Sequence, residues 1–323
     1  MEYRRLGDSG LKVSVIGLGT NAFGSRADQD TSIRIIHHAM SQGVNFIDTA
    51  NIYSNTESER IIGEALTNRR HEVVLATKAG LVRGQGPNER GSSRVHLMRE
   101  LEESLRRLRT DYVDLYQIHT FDPHTPLEET LRALDDMIRA GKVRYIGASN
   151  YTAWELMKAL SLSDRMGLSR YVSIQPCYSL ADRTPELELV PLCQDQGIGI
   201  IPYFPLAGGI LTGKYKADAI PTGSRAETNP DFAKRLDEQR LELSGKVSAL
   251  AEELGTTASA LSLAWLKQRP CVSTIIVGAT RVEQVDANLK SLEVSLDTES
   301  LRVLDEMSDS FRFGPPFASY RLT

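Results

Sequence analysis

Four side chains in this sequence have the chemistry to move one proton together: Asp48, Tyr53, Lys78 and His119. Asp48 closes an apolar run in FIDTANIY, and Tyr53 ends that stretch. Lys78 ends VVLATK and His119 ends DLYQIH. A buried carboxylate or ammonium is costly alone, so such groups are kept in pairs. A phenol with a pKa of about 10 is a poor proton donor near neutrality. A cation beside it stabilises the phenolate and lowers that value. The reading is that Asp48 holds Lys78, Lys78 tunes Tyr53 downward, and His119 orients a carbonyl oxygen beside the phenol. Such a set protonates an oxyanion as it forms. A rim ion pair is the plainer account of Asp48 and Lys78 alone. The phenol and the imidazole point beyond it.

Residues so far apart in sequence meet only if the strands carrying them end at one level. The sequence offers eight short apolar runs, at 13–20, 44–50, 72–80, 112–120, 143–150, 171–179, 198–205 and 273–280. Amphipathic segments lie between them, several starting at Ser, Thr or Pro and ending on Gly, as capped helices do. The runs are near-continuous rather than alternating, which means parallel strands buried on both faces. Eight β-then-α units predict an α/β fold, a (β/α)8 TIM barrel, over a doubly wound sheet. EYRRLGDSGLKV reads as a hairpin around 7–10 that plugs the N-terminal end. The long seventh connection, 206–256, carries loop sequence and then a helix at 236–255. A last helix at 298–310 and an aromatic tail follow the eighth strand. No linker divides 1–323, so one barrel domain is expected.

Chemistry in such barrels collects where the strands end. Those ends carry Gly19, Thr20 and Asn21; Asp48; Lys78; His119; Ser149 and Asn150; Gln175; Tyr203; and Gly278, Thr280 and Arg281. The chain has 323 residues, 41% of them hydrophobic, with a formal net charge of −4, so it has no global attraction for nucleic acid. No apolar run reaches the roughly 18 residues of a membrane span. The N-terminal residues show no apolar signal segment and read as cytoplasmic protein. The three cysteines are far apart, with no CxxC, and read as free thiols in a reducing compartment.

Seven motifs then fall into register. They are DTAxxY from Asp48 to Tyr53, ATK at Lys78, DLYQIH at His119, IGASN at 146–150, IQPCYS around Gln175, YFPLAGGILTGKY at 203–215 and IIVGATRVEQVDANL at 275–289. With these the sequence resembles the aldo-keto reductases over nearly its whole length, closest to the bacterial and channel-subunit-like branches. The resemblance implies a (β/α)8 barrel with NADP(H) extended over its mouth and a small-molecule carbonyl substrate. It implies that Tyr53 is the general acid/base, Lys78 its partner, Asp48 the anchor of Lys78 and His119 the carbonyl-orienting donor. Ser149, Asn150 and Gln175 would hold the nicotinamide carboxamide, and Tyr203 would stack on its ring. Pro205, Leu206, Gly208 and Lys214 would line the pyrophosphate, with Arg225 folded over it; Phe204 belongs to the cofactor-binding set but lacks a polar contact to the pyrophosphate. Gly278, Thr280, Arg281, Gln284 and Asn288 would meet the adenosine 2′-phosphate and adenine. Gly19, Thr20 and Asn21 complete the expected cofactor-binding set, together with Asp48. Four departures are visible: Phe204 stands where many members have Ser, Asn21 where Trp is frequent, Gly278 where the best-studied branch has Lys, and Ala287 where Glu is common.

Three decoys are set aside. GLGTNA at 17–22 has Rossmann-like spacing, but no helix opens there directly, and the periodic helix begins near Thr31. GGILTGK at 208–214 resembles a phosphate loop, but Tyr215 stands where a Mg²⁺-binding Ser or Thr is needed. His119 and His124 flank Asp122, yet nothing completes a metal set, so no metal is expected and His124 reads as a solvated loop residue.

The expected activity is NADPH-dependent reduction of aldehyde or ketone carbonyls. A nicotinamide-binding regulatory or channel-accessory subunit with weak catalysis is the alternative from another class. It predicts tight binding with negligible turnover. A barrel isomerase or hydrolase predicts activity without nicotinamide. Substrate choice is expected to lie in loops 80–92 and 120–126 and in the tail, through Phe311, Phe313, Phe317 and Tyr320. Oligomeric state, monomer or homo-oligomer, is left open.

Overall fold

The computed structural model describes residues 1–216, 221–222 and 224–322. An antiparallel hairpin of β1 (Tyr3–Arg5) and β2 (Lys12–Ser14) precedes the barrel strands. These are β3 (Ile16–Gly19), β4 (Phe46–Asp48), β5 (Val74–Ala79), β6 (Val113–Ile118), β7 (Val143–Ser149), β8 (Tyr171–Gln175), β9 (Gly199–Ile200) and β10 (Ile275–Gly278). They form one parallel eight-stranded sheet, ordered β10-β3-β4-β5-β6-β7-β8-β9. The ring closes where Ser273 N donates to Ile200 O at 3.0 Å and Ile276 N to Pro202 O at 3.2 Å. The (β/α)8 barrel read from the sequence is the fold.

All eight runs became strands, but shorter than the runs. The first run splits: residues 12–14 belong to the hairpin, and the barrel strand starts at Ile16. The hairpin is the expected plug. Leu6 and Val13 are fully buried against Phe46, Val74, Leu115, Ile201 and Ile276 at the bottom of the barrel interior. Asp8 N donates to Gly197 O at 2.9 Å, tying the turn to the barrel wall.

Side chains alternate along a strand, so every second residue faces inward. Phe46 and Val74 fill the lower interior, and Asp48 and Lys78 share their faces two and four residues on. The same step from Leu115 leads to Gln117 and then His119. The barrel thus has an apolar floor and a polar upper layer. Outward residues such as Ile47, Leu75 and Ile118 pack under the helices.

The helix expected at 236–255 is observed at Glu238–Glu253, and the last at Thr298–Met307. The helix Ala258–Lys267 went unread. Its residues 260–266, ALSLAWL, are all buried, so it has no continuous polar face to set up a stripe. No described helix is long and apolar enough to cross a membrane.

Candidate active site

Asp48 ends β4, Lys78 sits in β5, and His119 follows β6 directly. Lys78 Nζ donates to Asp48 Oδ2 at 2.6 Å, to the Thr49 carbonyl at 2.7 Å and to Tyr53 Oη at 3.3 Å. Asp48 and Lys78 are both buried, so this pair is shielded from water. His119 is buried beside the phenol, its ring centroid 6.0 Å from that of Tyr53 in an edge-on arrangement. The four residues read from the sequence therefore meet.

Their electrostatics differ from the expectation in one respect. Burial pushes the Tyr53 phenol above its ordinary value; Lys78 pulls the other way and Asp48 adds to the rise. Lys78 does not bring the phenol down because the cost of burying a phenolate outweighs its pull. Burial works against the Lys78 ammonium too, but Asp48 and Tyr53 outweigh it and hold its pKa above the usual lysine value. Burial, then the charge of Lys78, drive His119 well below the ordinary imidazole value. The site thus holds a neutral phenol, a charged lysine and a neutral imidazole around pH 7.

The chain reaches Tyr53 through unusual backbone. Ser54, Asn55 and Thr56 have φ of 48°, 52° and 79°, three consecutive left-handed residues without a glycine. Each such residue costs about 1–2 kcal/mol. A buried hydroxyl chain offsets this. Thr20 Oγ1 donates to the Asp48 carbonyl at 2.8 Å, and Ser58 Oγ donates to Thr20 Oγ1 at 2.8 Å and pairs with Thr49 Oγ1 at 2.9 Å. It ties β3 and β4 to the start of the helix Glu57–Ala65. Thr20, expected at the cofactor, spends its hydroxyl here.

Ser149, Asn150 and Gln175 converge as expected. Ser149 Oγ donates to the Gln175 carbonyl at 2.8 Å. Asn150 Nδ2 donates to the His119 carbonyl at 2.8 Å, and Tyr203 Oη donates to Asn150 Oδ1 at 2.8 Å. Gln175 Nε2 donates to Asp48 Oδ1 at 2.9 Å, as does Gln117 Nε2 at 3.1 Å. Gln117 escaped the sequence reading, although it sits on the inward face two residues before His119. Tyr320, in the tail, lies 6.4 Å from the His119 ring and 6.1 Å from the Tyr203 ring. Thr120 Oγ1 donates to its carbonyl at 2.6 Å, and Arg321 pairs with Glu155 at 2.8 Å. Of the other tail aromatics, Phe311 and Phe317 pack on the barrel and Phe313 is exposed.

The remaining expected residues line the same mouth. Phe204, at φ 52°, rests on Phe317, and the Arg225 guanidinium lies 5.0 Å from its ring centroid. Pro205 and Leu206 lead into a turn where Gly208 and Gly209 have φ of 67° and 105°. A Cβ at Gly208 would strike Phe232 at 2.3 Å, and one at Gly209 would crowd Lys214 Nζ at 3.1 Å. Burial lowers the Arg225 pKa, and the like charges of Arg26 and Arg235 add to the effect. Within the charged stretch 216–235, residues 217–220 and 223 fall outside the described residues. Gly19 faces Gly278 across the β3–β10 pairing, and a Cβ at Gly278 would meet nothing closer than 3.7 Å, the next atom being Asn21 Oδ1 at 3.8 Å. Thr280 N and Oγ1 donate to Gln284 Oε1 at 2.7 and 3.2 Å, so that side chain caps its own turn. Arg281 is exposed at the start of the helix Val282–Leu289, while Asn288 is buried toward Leu18 and Val277. His124 is exposed, and Asp122 is occupied by Ser92 N, His124 N and Thr125 Oγ1.

Residues 15–309 match the Aldo/keto reductase family model. The chain belongs to the aldo/keto reductase family. Its members include a Bacillus subtilis (strain 168) protein named uncharacterized oxidoreductase YrpG, 40% identical over 95% of this chain and 96% of that protein. A probable voltage-gated potassium channel subunit beta of Arabidopsis thaliana is 39% identical over 91% of this chain and 92% of its own. A versiconal hemiacetal acetate reductase of Aspergillus parasiticus is 34% identical over 95% and 96%.

Aldo/keto reductases generally use nicotinamide cofactors. The residues present fit one. Gly208 and Gly209, both at positive φ, shape a turn against the Phe232 ring, beside Lys214 and Arg225. A Cβ at Gly19 or Gly278 would meet nothing closer than 3.7 Å, so no side chain crowds these paired strand ends. Ser149, Asn150 and Gln175 offer amide and hydroxyl groups beside the Tyr203 ring.

Proposed function

We propose that this chain is an NADPH-dependent reductase of aldehyde or ketone carbonyls. The observation that carries the reading is the Asp48–Lys78–Tyr53 chain, a buried ion pair leading to a half-buried phenol, with bonds of 2.6 and 3.3 Å, ending beside His119. A bound reduced nicotinamide supplies the hydride. The residues of the chain do the rest. Tyr53 Oη gives its proton to the carbonyl oxygen as negative charge develops there. Lys78, fixed by Asp48, stabilises the phenolate left behind, which lowers the barrier to transfer. His119, uncharged because of burial, serves as a hydrogen-bond partner for the carbonyl oxygen and not as an acid. Asn150 ties His119 to the carboxamide-reading residues, so proton donor and cofactor share one frame.

Lys214 and Arg225 would hold the pyrophosphate as cations on a glycine turn. Arg281 would take the 2′-phosphate that distinguishes NADPH from NADH, aided by the start of the helix Val282–Leu289. An accessory-subunit role, as in the name of the Arabidopsis relative, is the second reading. The complete proton-transfer chain favours catalysis over it.

The test is a titration of the purified protein with NADPH and NADH, followed by initial rates on a panel of aldehydes and ketones. NADPH binding with turnover is expected. Binding with negligible turnover across the panel would move the assignment to the accessory role. Binding of neither nucleotide would overturn the cofactor.

A further inference from the structure

Asp48 has two carboxylate oxygens, and the proton-transfer chain uses only Oδ2. Oδ1 accepts from both Gln117 Nε2, at 3.1 Å, and Gln175 Nε2, at 2.9 Å. The two glutamines also touch: Gln175 Nε2 donates to Gln117 Oε1 at 3.3 Å. All three side chains are buried at 2% exposure or less, so water does not compete. Gln117 stands beside Lys78 in the β5–β6 pairing and opposite Gly147 in the β6–β7 pairing. A Cβ at Gly147 would lie 3.3 Å from Gln117 Cγ and 2.6 Å from Ser173 Oγ. The neighbouring strand is therefore cut back where the Gln117 side chain passes.

This triangle has one consistent hydrogen-bond direction. A carboxylate only accepts, so each amide must turn its nitrogen toward Asp48. The second hydrogen of the Gln175 amide then goes to Gln117 Oε1. Both Gln175 hydrogens are spent inside the barrel, and its Oε1 is the atom left for a ligand. Without Gln117, the Gln175 amide loses the partner that holds its second hydrogen, and Asp48 loses one of two donors on Oδ1.

We propose that Gln117 is a positioning residue: it locks Asp48 behind Lys78 and fixes the Gln175 amide so that a carbonyl oxygen faces the nicotinamide pocket. The ligand group that suits this acceptor is an N–H donor, the carboxamide NH₂. The inference rests on the reductase reading. It adds that Gln175, the carboxamide reader of that proposal, depends on Gln117 for its orientation. It also couples the two halves of the site, since Asp48 anchors both Lys78 and the amide reader.

The test compares NADPH with its 3-acetylpyridine analogue, in which a methyl replaces the amide nitrogen. Dissociation constants are measured by fluorescence titration on wild type, Gln117→Leu and Gln117→Met. Wild type should favour NADPH by about tenfold, the scale of one hydrogen bond. Both variants should bring the ratio toward one. The limb of the pH–rate profile set by Tyr53 should also rise, because Asp48 with fewer donors presents more negative charge to the phenol. A merely structural role would weaken both nucleotides equally and leave the ratio and the limb in place. That result in whichever variant folds overturns the inference while sparing the reductase reading. Wild type that binds neither nucleotide overturns the reading, and the inference with it.

Discussion

Lys78 Nζ lies 2.6 Å from Asp48 Oδ2, and neither side chain reaches solvent. The pair is close to neutral as a unit. Burial of the phenol outweighs the pull of Lys78 and keeps Tyr53 protonated. In the proposed reaction the lysine receives the charge of the phenolate as the proton leaves, and does not hold a phenolate in advance.

Breaking this pair should be costly to the fold as well as to activity. Lys78→Met strands the Asp48 carboxylate in the barrel, with only Gln117 and Gln175 to solvate it. A loss of about 3–5 kcal/mol is expected in urea unfolding. The double variant Lys78→Met/Asp48→Asn should recover most of that stability, because no buried charge remains, yet stay inactive. Equal stability of the two variants would contradict the pairing.

The pH dependence follows from two displaced groups. Tyr53 is raised, so it remains a proton donor across the working range and above pH 10. Carbonyl reduction should be flat between about pH 6 and 9, and the reverse oxidation, which needs the phenolate, should climb with pH. His119 is lowered well below 6.5, so its ionisation should add no limb near neutrality. Below pH 6.5 the unfolded chain protonates this histidine and the folded chain does not, so stability is complete above that pH and falls beneath it. His119→Asn should lose less stability than wild type between pH 6.5 and 5 in parallel melts.

The left-handed turn after Tyr53 offers a test free of packing effects, since Asn55 is exposed. Asn55→Gly should preserve stability and rate, because glycine takes positive φ without strain. Asn55→Val should cost about 1–2 kcal/mol and lower kcat by shifting Tyr53. If valine matches glycine in both melting temperature and kcat, the turn does not position the phenol.

Much of this was legible in sequence, for physical reasons that also mark what was not. Strands buried on both faces advertise themselves as apolar runs, and polar residues at their ends stand out. The same reading hid Gln117, because it treated DLYQIH as a run with an end and not as two alternating faces. The helix Ala258–Lys267 was missed because a helix buried all round lacks the stripe that betrays a surface helix. The sequence offers Tyr320 as a pocket candidate, but its place near His119 depends on the distant bonds from Thr120 and Arg321, which no local pattern encodes. The expected lowering of Tyr53 failed because the depth of a side chain in the barrel is not written in local sequence: burial of the phenol outweighs the pull of Lys78.

The central claim is that Tyr53 delivers the proton, and Tyr53→Phe addresses it most directly. The variant keeps the ring and loses one oxygen. NADPH affinity should be unchanged, and kcat for carbonyl reduction should fall by about 10²–10⁴-fold. Full turnover in the variant, with the nucleotide bound as in wild type, would contradict the assignment.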